Sequence, residues 1–573
     1  MDRPDFQLTA DWIIARAFVF RAEPRGEVLS RDLGFLSDGT IGGYDNPNER
    51  RWSLADGQLQ ICSESGFVTC SFSFAGRDGG RVSLSGHFCD PRSPEKPSGV
   101  MHFLDEVGPD PRLRVQTFDL FDTLVARRCI YPTDVFRAVE RKAGVAGFAE
   151  LRHRVEMRMF GTRPYGIDDI YEALGQEKGW TPQVLARLKM LELAEEWDNY
   201  FPIRALTAKV RPEDMIISDM YLPYEFVRRI LSIKCGLSAN TLHLSNYGKH
   251  DAIIWRELAP RYRITRHYGD NLHADVNSPA KFGVPAEHVL ISGLSPAEKI
   301  LFDLGLRPQA EAIREARLGL HDPVPAVMAV QQAQLQLNLP LLLVGSYFLL
   351  DRARELEADS LLLCARDCNL WAPLLRVLAA GAPRRPRIHY IAASRAAFYS
   401  GSAEYDAYFH SFLGARNILV DVVGTGRSPS HFLERSGLSE RVLSLILVGA
   451  PQSETQGSFK VETLLQRDFR PFRLALEAMN LSLEGPAQGG RFTDFELSAE
   501  RALNEFDVEG RKLIAAQQRA FLDTLPVLAA QGERFEVPPR DALAAGAAAL
   551  VNLLPAGQPA LAELSRQIIA TLT

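Results

Sequence analysis

The sequence predicts a multidomain α/β protein: a small N-terminal β domain, two α/β domains in succession and a helical C-terminus. Length is the first indication, since 573 residues exceed what one hydrophobic core organises, and three or four domains are expected. Periodicity is the second. Alternating segments give way to helical ones, and then to short apolar strands separated by helical stretches, the βαβ signature of a parallel sheet. The third is chemical. Apolar strands deliver aspartates at Asp119 and Asp421, and open α/β sheets hold their ligands at strand carboxyl ends.

Residues 1–105 are β-rich. Asp38-Gly39, Asp56-Gly57 and Asp78-Gly79 are hairpin signals, and alternation shows at 58–62 and 68–74. A meander closing into a barrel or sandwich is expected. The segment 42–49, with Tyr44, reads as loop and turn chemistry, with sugar binding as the alternative; 92–99 reads as a linker. The first α/β domain spans 111–305, with strands at 214–218, 241–245 and 288–292. A helical block at about 128–208 interrupts it just after its first strand. Residues 308–355 read as a helical connector, 356–498 as the second α/β domain and 499–573 as a helical C-terminal region. In the second domain, strands are expected near 360–364, 388–393, 417–421 and 442–448.

A net charge of −6 gives no basis for non-specific nucleic-acid binding. Seven scattered cysteines without a CxxC pair suit reduced thiols and a cytoplasmic setting. Apolar runs such as 339–345 are too short to span a bilayer, so no transmembrane segment and at most peripheral membrane contact is expected.

Four elements in the first α/β domain recur at strand ends: Asp119 in Phe118-Asp119-Leu120-Phe121-Asp122-Thr123-Leu124, Ser218 before Asp219, Lys249, and Asp270 with Asp275. In that order and spacing they resemble the haloacid dehalogenase superfamily of phosphohydrolases, with the helical block as its cap. The resemblance implies Asp119 as nucleophile, Ser218 as donor to a phosphoryl oxygen and Lys249 as neutralising cation. It implies Mg²⁺ as cofactor, held by Asp119 and Asp270 with Asp275 assisting. One position departs from the family's phosphatases, which carry an acid two residues after the nucleophile; here it is Phe121. Adjacent side chains on a strand face opposite ways, so Asp122 substitutes only if the loop bends. The domain is thus either a specialised hydrolase or a scaffold that binds phosphate without turning it over.

The second α/β domain carries Asp421-Val422-Val423-Gly424-Thr425-Gly426-Arg427-Ser428, where glycines let amides converge on an anion before a helix starting near Ser430. This resembles the phosphoribosyl pyrophosphate loop of type I phosphoribosyltransferases, although the first of that family's paired acids is Val420 here. The resemblance implies Asp421 on the ribose hydroxyls and Gly424, Thr425, Gly426, Arg427 and Ser428 around the 5-phosphate. Arg366, Asp367 and Arg395 would meet pyrophosphate, and Glu477, Asn480 and Glu484 would line the acceptor side. Together the two halves resemble proteins of bacterial surface-polysaccharide synthesis. That resemblance implies a glycosyltransferase using phosphoribosyl pyrophosphate, or another sugar phosphate, with a glycan or lipid-linked glycan acceptor. A phosphohydrolase centred on Asp119 and a non-catalytic, phosphate-binding assembly module are the alternatives.

Overall fold

The computed structural model describes residues 8–554, apart from 25, 37–38, 45, 79–80, 93–97, 109–111, 366, 383, 451–460, 484–486, 494–495, 502–505 and 531–535. The chain forms two compact units, Met1–Ser292 and Gly293–Thr573.

The first unit opens with β1 (Ala17–Glu23), β2 (Glu27–Phe35), β3 (Ile41–Gly42), β4 (Arg51–Ala55), β5 (Gln58–Cys62), β6 (Val68–Asp78), β7 (Arg81–His87) and β8 (Met101–Gly108). They form one eight-stranded antiparallel meander in the order β3-β2-β1-β8-β7-β6-β5-β4. The two end strands meet, because Thr40 bridges Arg51 and Trp52 N–H donates to the Gly39 carbonyl at 2.9 Å. The sheet therefore closes on itself and leaves no free long edge. Alternate residues point inward, so Phe18, Phe20, Leu33, Phe35, Leu59, Ile61, Phe72, Leu84 and Leu104 fill the interior. The 42–49 segment packs into this core: Tyr44 meets Phe20 edge-on at 5.3 Å. Glu49 is buried, 3.6 Å from the buried His102.

The α/β part of this unit has β9 (Leu113–Phe118), β12 (Met215–Asp219), β13 (Thr241–Ser245), β14 (Tyr262–Gly269) and β15 (Ala286–His288). They form a parallel sheet ordered β13-β12-β9-β14-β15. The helical insertion leaves through β10 (Val125–Arg127) and returns through β11 (Tyr200–Pro202), which pair antiparallel. Between them run helices Thr133–Ala143, Phe148–Met159, Ile167–Lys178 and Pro182–Asn199. Buried ion pairs fix the insertion's geometry. Arg152 grips Glu192 at 2.9 and 2.7 Å, and Arg127 grips Glu196 at 2.9 and 3.0 Å. Two-pronged Arg–carboxylate contacts of this kind demand one orientation.

β14 is absent from the strands read in the sequence. Its Arg263, Thr265, Arg266 and His267 suggest a surface segment, yet all are buried. The barrel covers its first half: Arg263 Nε donates to the Asp32 carboxylate at 3.1 Å, and Gly43 N–H donates to the Thr265 carbonyl at 3.2 Å. Arg266 reaches the carbonyls of Ile41 and Tyr44 at 3.1 and 3.2 Å. The last strand lies at 286–288 rather than 288–292, and Leu290, expected in it, is exposed.

The second unit is built on β16 (Ser360–Cys364), β17 (Arg387–Ile391), β18 (Asn417–Gly424), β19 (Val442–Gly449) and β20 (Val461–Gln466). They form a parallel sheet ordered β17-β16-β18-β19-β20. Residues 308–355 do not connect two domains but join this unit's core. Leu342, Leu343 and Tyr347 share one apolar cluster with Leu361, Trp371 and Leu447. The helix Pro296–Asp303 also belongs here, which moves the boundary from 305 to about 292. Pro325–Glu355 runs as one helical stretch of 31 residues, longer than its apolar runs suggest, because Pro340 sits in the first turn after a π-helical step. It is long and apolar enough to cross a membrane, and 94% of its most apolar window is buried inside the unit. Helices Val508–Ala530 and Arg540–Asn552 close the same core through Leu513, Phe521 and Leu550.

Candidate functional site

Strand order reverses between β9 and β14, and the crevice outside their carboxyl ends is where a doubly wound sheet receives its ligand. Asp119 follows β9 directly, and its N–H donates to the Tyr268 carbonyl at 2.8 Å. The sheet ladder thus holds the nucleophile candidate in place. The chain then turns sharply. Leu124 and Val125 N–H donate to the Leu120 carbonyl at 2.8 and 2.9 Å, and Asp122 takes the left-handed conformation at φ 58°. The loop bends at the residue where bending was required, and an aspartate tolerates that conformation better than most side chains.

Ser218 lies at the end of β12, 1% exposed, and its Oγ has no hydrogen-bond partner among the described residues. An unpaired buried hydroxyl costs about 1–3 kcal/mol, so it marks a place where an acceptor belongs. Lys249 is 4% exposed. Its Nζ donates to Asp119 and, at 2.7 Å, to Asp275. Asp219 sets that loop by accepting from the Lys249 and His250 amides, each at 3.0 Å, and from Ser245 Oγ.

Asp270 and Asp275 come from the turn after β14. Asn271 Oδ1 accepts from the His273 and Ala274 amides at 3.0 Å, which starts the π-helical turn Leu272–Asn277. A Cβ at Gly269 would collide with the Asp275 side chain, so only glycine lets the turn fold back this tightly. Asp275 is held on both oxygens: Lys249 and His267 Nε2 (3.1 Å) meet Oδ1, and the Asn271 amide donates to Oδ2 at 3.0 Å. It supports its neighbours rather than facing the cleft. His267 was missed in the sequence because β14 was missed. Its ring bridges Asp275 and, at 2.9 Å from Nδ1, Thr117 Oγ1.

Burial raises the Asp119 carboxyl well above its ordinary range, against the attraction of Lys249, and the Asp275 and Asp270 charges push the same way. Burial also lifts Asp270 to about 6, helped by the charges of Asp122 and Asp275. Asp122 is therefore within electrostatic reach of Asp270. Asp275 is held low, because Lys249 and His267 outweigh its burial. The two carboxylates keep Lys249 a cation. Burial holds His267 below its usual value, so its neutral ring donates from Nε2 and accepts at Nδ1.

Asp119, Asp270 and Asp275 each bring a carboxylate oxygen within 4.8 Å of the others. Oxygen donors of this kind suit a hard divalent ion such as Mg²⁺. Asp119 and Asp270 would hold the ion, with Asp275, already engaged by Lys249, His267 and the Asn271 amide, assisting. Over the crevice lies a cleft of about 450 Å³ between the insertion and the sheet's loops, lined by Phe136, Phe160 and Tyr165 on one side and Tyr221, Tyr247 and His250 on the other.

The candidates in the second unit gather less tightly. Asp367 follows β16 and Asp421 lies in β18, so both flank the reversal of strand order between those strands. β18 continues past Asp421 to Gly424, pairing Val423 with Val448 and Gly424 with Gly449. The helix begins at Arg427 rather than near Ser430. The loop therefore shortens to Thr425-Gly426, with Arg427 and Ser428 in the first helical turn. Gly426 has φ 74°, and a Cβ there would strike Val461. Burial raises the Asp421 carboxyl, and the charges of Asp367 and Glu477 add to it. Arg473 Nε donates to Glu477 at 2.6 Å, while the buried Glu477 Oε2 has no partner among the described residues. Arg395 opens a short helix capped by Ser394, whose Oγ accepts from the Ala397 amide at 3.1 Å. Asn480 does not line an acceptor site. It is fully buried and exchanges amide hydrogen bonds with Asn338 at 2.9 and 3.0 Å. Arg366 and Glu484 lie outside the described residues.

No protein-family model and no curated protein matches the chain. Among solved structures it is similar to a haloacid dehalogenase-like family hydrolase from Xanthomonas campestris, at 14% identity over 32% of this chain and 84% of that one. The TM-score is 0.24, too low to add to the geometry.

Proposed function

We propose that the first unit is a Mg²⁺-dependent phosphohydrolase centred on Asp119. The observation that carries this is the Lys249 ammonium between the carboxylates of Asp119 and Asp275, with the unpaired Ser218 hydroxyl buried in the same site. An Asp119 oxygen bonds to phosphorus as the bond from phosphorus to the leaving oxygen breaks. Lys249 offsets charge on the phosphoryl oxygens and Ser218 Oγ donates to one of them. Water then attacks phosphorus, releasing inorganic phosphate and restoring the Asp119 carboxylate. Mg²⁺ on Asp119 and Asp270 would supply Lewis-acid neutralisation of the phosphoryl group. Asp122, whose charge is felt at Asp270, hands the leaving oxygen its proton in place of the missing acid at Phe121 and takes a proton back from the attacking water. Beryllium fluoride with Mg²⁺ tests this: it binds wild type and fails on Asp119→Asn. Failure on wild type rejects the assignment.

A second activity is favoured by Asp367, Asp421 and the Gly424–Ser428 turn flanking the strand reversal of the second sheet. Here the chain takes phosphoribosyl pyrophosphate, the turn's amides hold the 5-phosphate and Asp421 the ribose hydroxyls; a glycan hydroxyl oxygen bonds to C1 of the ribose as the C1–O bond to pyrophosphate breaks, and pyrophosphate leaves with the hydroxyl's proton released. Calorimetry with phosphoribosyl pyrophosphate and Mg²⁺ tests it. Binding is expected in wild type and lost in Asp421→Ala; equal binding to both rejects it.

A further inference from the structure

We infer that the cleft above Asp119 takes an uncharged, ring-shaped leaving group, so that the substrate is a phosphomonoester of a neutral ring compound carrying a single phosphate. This rests on the phosphohydrolase assignment and deepens it. The cleft's floor is made by the chain neighbours of the site residues: Asp219 beside Ser218, His250 beside Lys249, Asn271 beside Asp270 and Ala274 beside Asp275. The site residues themselves lie behind this floor, and we take the group bonded to a phosphoryl on Asp119 to extend past their neighbours into this space.

Its walls are rings. Tyr165 stacks over Tyr221 at 19° between planes, and the Arg152 guanidinium lies 5.0 Å from Tyr221 and 4.5 Å from Phe136. Arg152 is locked by Glu192 and Glu156, so this wall is rigid. Elsewhere in the lining Phe160, Tyr247 and His250 follow one another at 6.0 and 5.4 Å. Tyr247 is held at φ 93°, a conformation a tyrosine rarely adopts, and its buried hydroxyl has no partner among the described residues. Strain and an unmet hydroxyl at one residue are typical of a ligand-facing position. Phe160 and Met157 remain 57% and 46% exposed, apolar surface that a ring would cover.

The charges in the lining are already spent. Arg127 is paired with Glu196, Glu156 accepts from Arg152 at 2.7 Å, and Asp219 holds two backbone amides. No lysine is among the lining residues. A second phosphate on the leaving group would be desolvated here with no lysine and no unpaired arginine of the lining to meet it, only the imidazoles of His153 and His250. A sugar ring and an aromatic ring both fit this chemistry.

Calorimetry on Asp119→Asn with Mg²⁺ distinguishes the sources and tests the idea. Methyl ribofuranoside 5-phosphate stands for the sugar, phenyl phosphate for the aromatic ring, ribose 1,5-bisphosphate for a charged group and glycerol 3-phosphate for an acyclic one. At least one neutral ring ester is expected to bind tenfold or more tighter than both the bisphosphate and the acyclic ester. Phe160→Ala, added to Asp119→Asn, should erase that margin. In Phe160→Ala alone the KM for the ring ester should rise about tenfold with kcat within twofold, and beryllium fluoride should still bind at Asp119. Equal or tighter bisphosphate binding, or an unmoved KM, overturns the inference while leaving the phosphohydrolase assignment standing if beryllium fluoride binds. No beryllium fluoride binding to wild type overturns both.

Discussion

Phe121 lays its ring on Tyr200, centroids 5.2 Å apart, where the chain leaves the sheet for the helical insertion and where it returns. The Arg127 guanidinium covers Tyr200 at 4.9 Å. The residue that replaces the usual acid is thus part of the insertion's base. Phe121→Ala should lower the unfolding free energy of the first unit by about 2 kcal/mol, from lost burial and ring contact. Denaturant unfolding checks this; an unchanged midpoint would separate Phe121 from the base.

Lys249 and Asp119 should respond oppositely to mutation. Asp119→Asn removes a carboxylate that burial already disfavours, so the metal-free protein should unfold at the same or higher denaturant concentration while losing all turnover. Lys249→Met leaves Asp119 and Asp275 facing each other without a cation, and should cost about 3–5 kcal/mol. Equal losses in the two variants would contradict this account of the site.

Asp122→Asn should act according to the leaving group. Turnover of an alkyl phosphate is expected to fall ~10²–10⁴-fold, whereas an acyl or nitrophenyl phosphate, which needs no proton, should change little. A matching fall for both would show that Asp122 positions the loop and donates no proton.

Glu49 and His102 give the barrel a pH signature. Burial raises the Glu49 carboxyl from 4.5 to about 7, so the stability it allows is complete below pH 4.5 and lost as pH climbs through about 7. Burial lowers His102 from 6.5 to about 4, so its contribution is complete above pH 6.5 and lost as pH falls through about 4. Glu49→Gln removes the first limb alone. Its stability relative to wild type should be greater at pH 8 than at pH 4.5 by ~3 kcal/mol, measured by urea unfolding. A difference that does not vary with pH would show that Glu49 is not the titrating group.

Much of this was legible in the residues. The barrel follows from alternation and Asp-Gly turns, which are local signals. Asp119 and Ser218 were visible because each ends a short apolar segment, and Lys249, Asp270 and Asp275 because they follow in the order and spacing of the family resemblance. β14 was not, because its polar residues are buried by partners far away in the chain: Asp32 and Gly43 of the barrel, and Thr117 on His267. The early start of the helix at Arg427 was hidden for a related reason. Val422 and Val423 extend β18 through pairing with β19, which no local pattern announces. Asn480 misled because an amide on a helix looks the same whether it meets a ligand or, as here, Asn338.

β14 carries the barrel on its first half and the catalytic turn on its second, and Arg263, 2% exposed, is the pin between barrel and sheet. Shortening the chain to begin at residue 112 would do more than remove an appendage. It would take Asp32 from Arg263 and the Ile41 and Tyr44 carbonyls from Arg266, leaving Arg266 its longer contact to Glu287 at 3.5 Å, and open one face of the strand to water, loosening the ground on which Asp270 and His267 stand. The N-terminal barrel is in that sense the back wall of the sheet that carries Asp119 and Asp270.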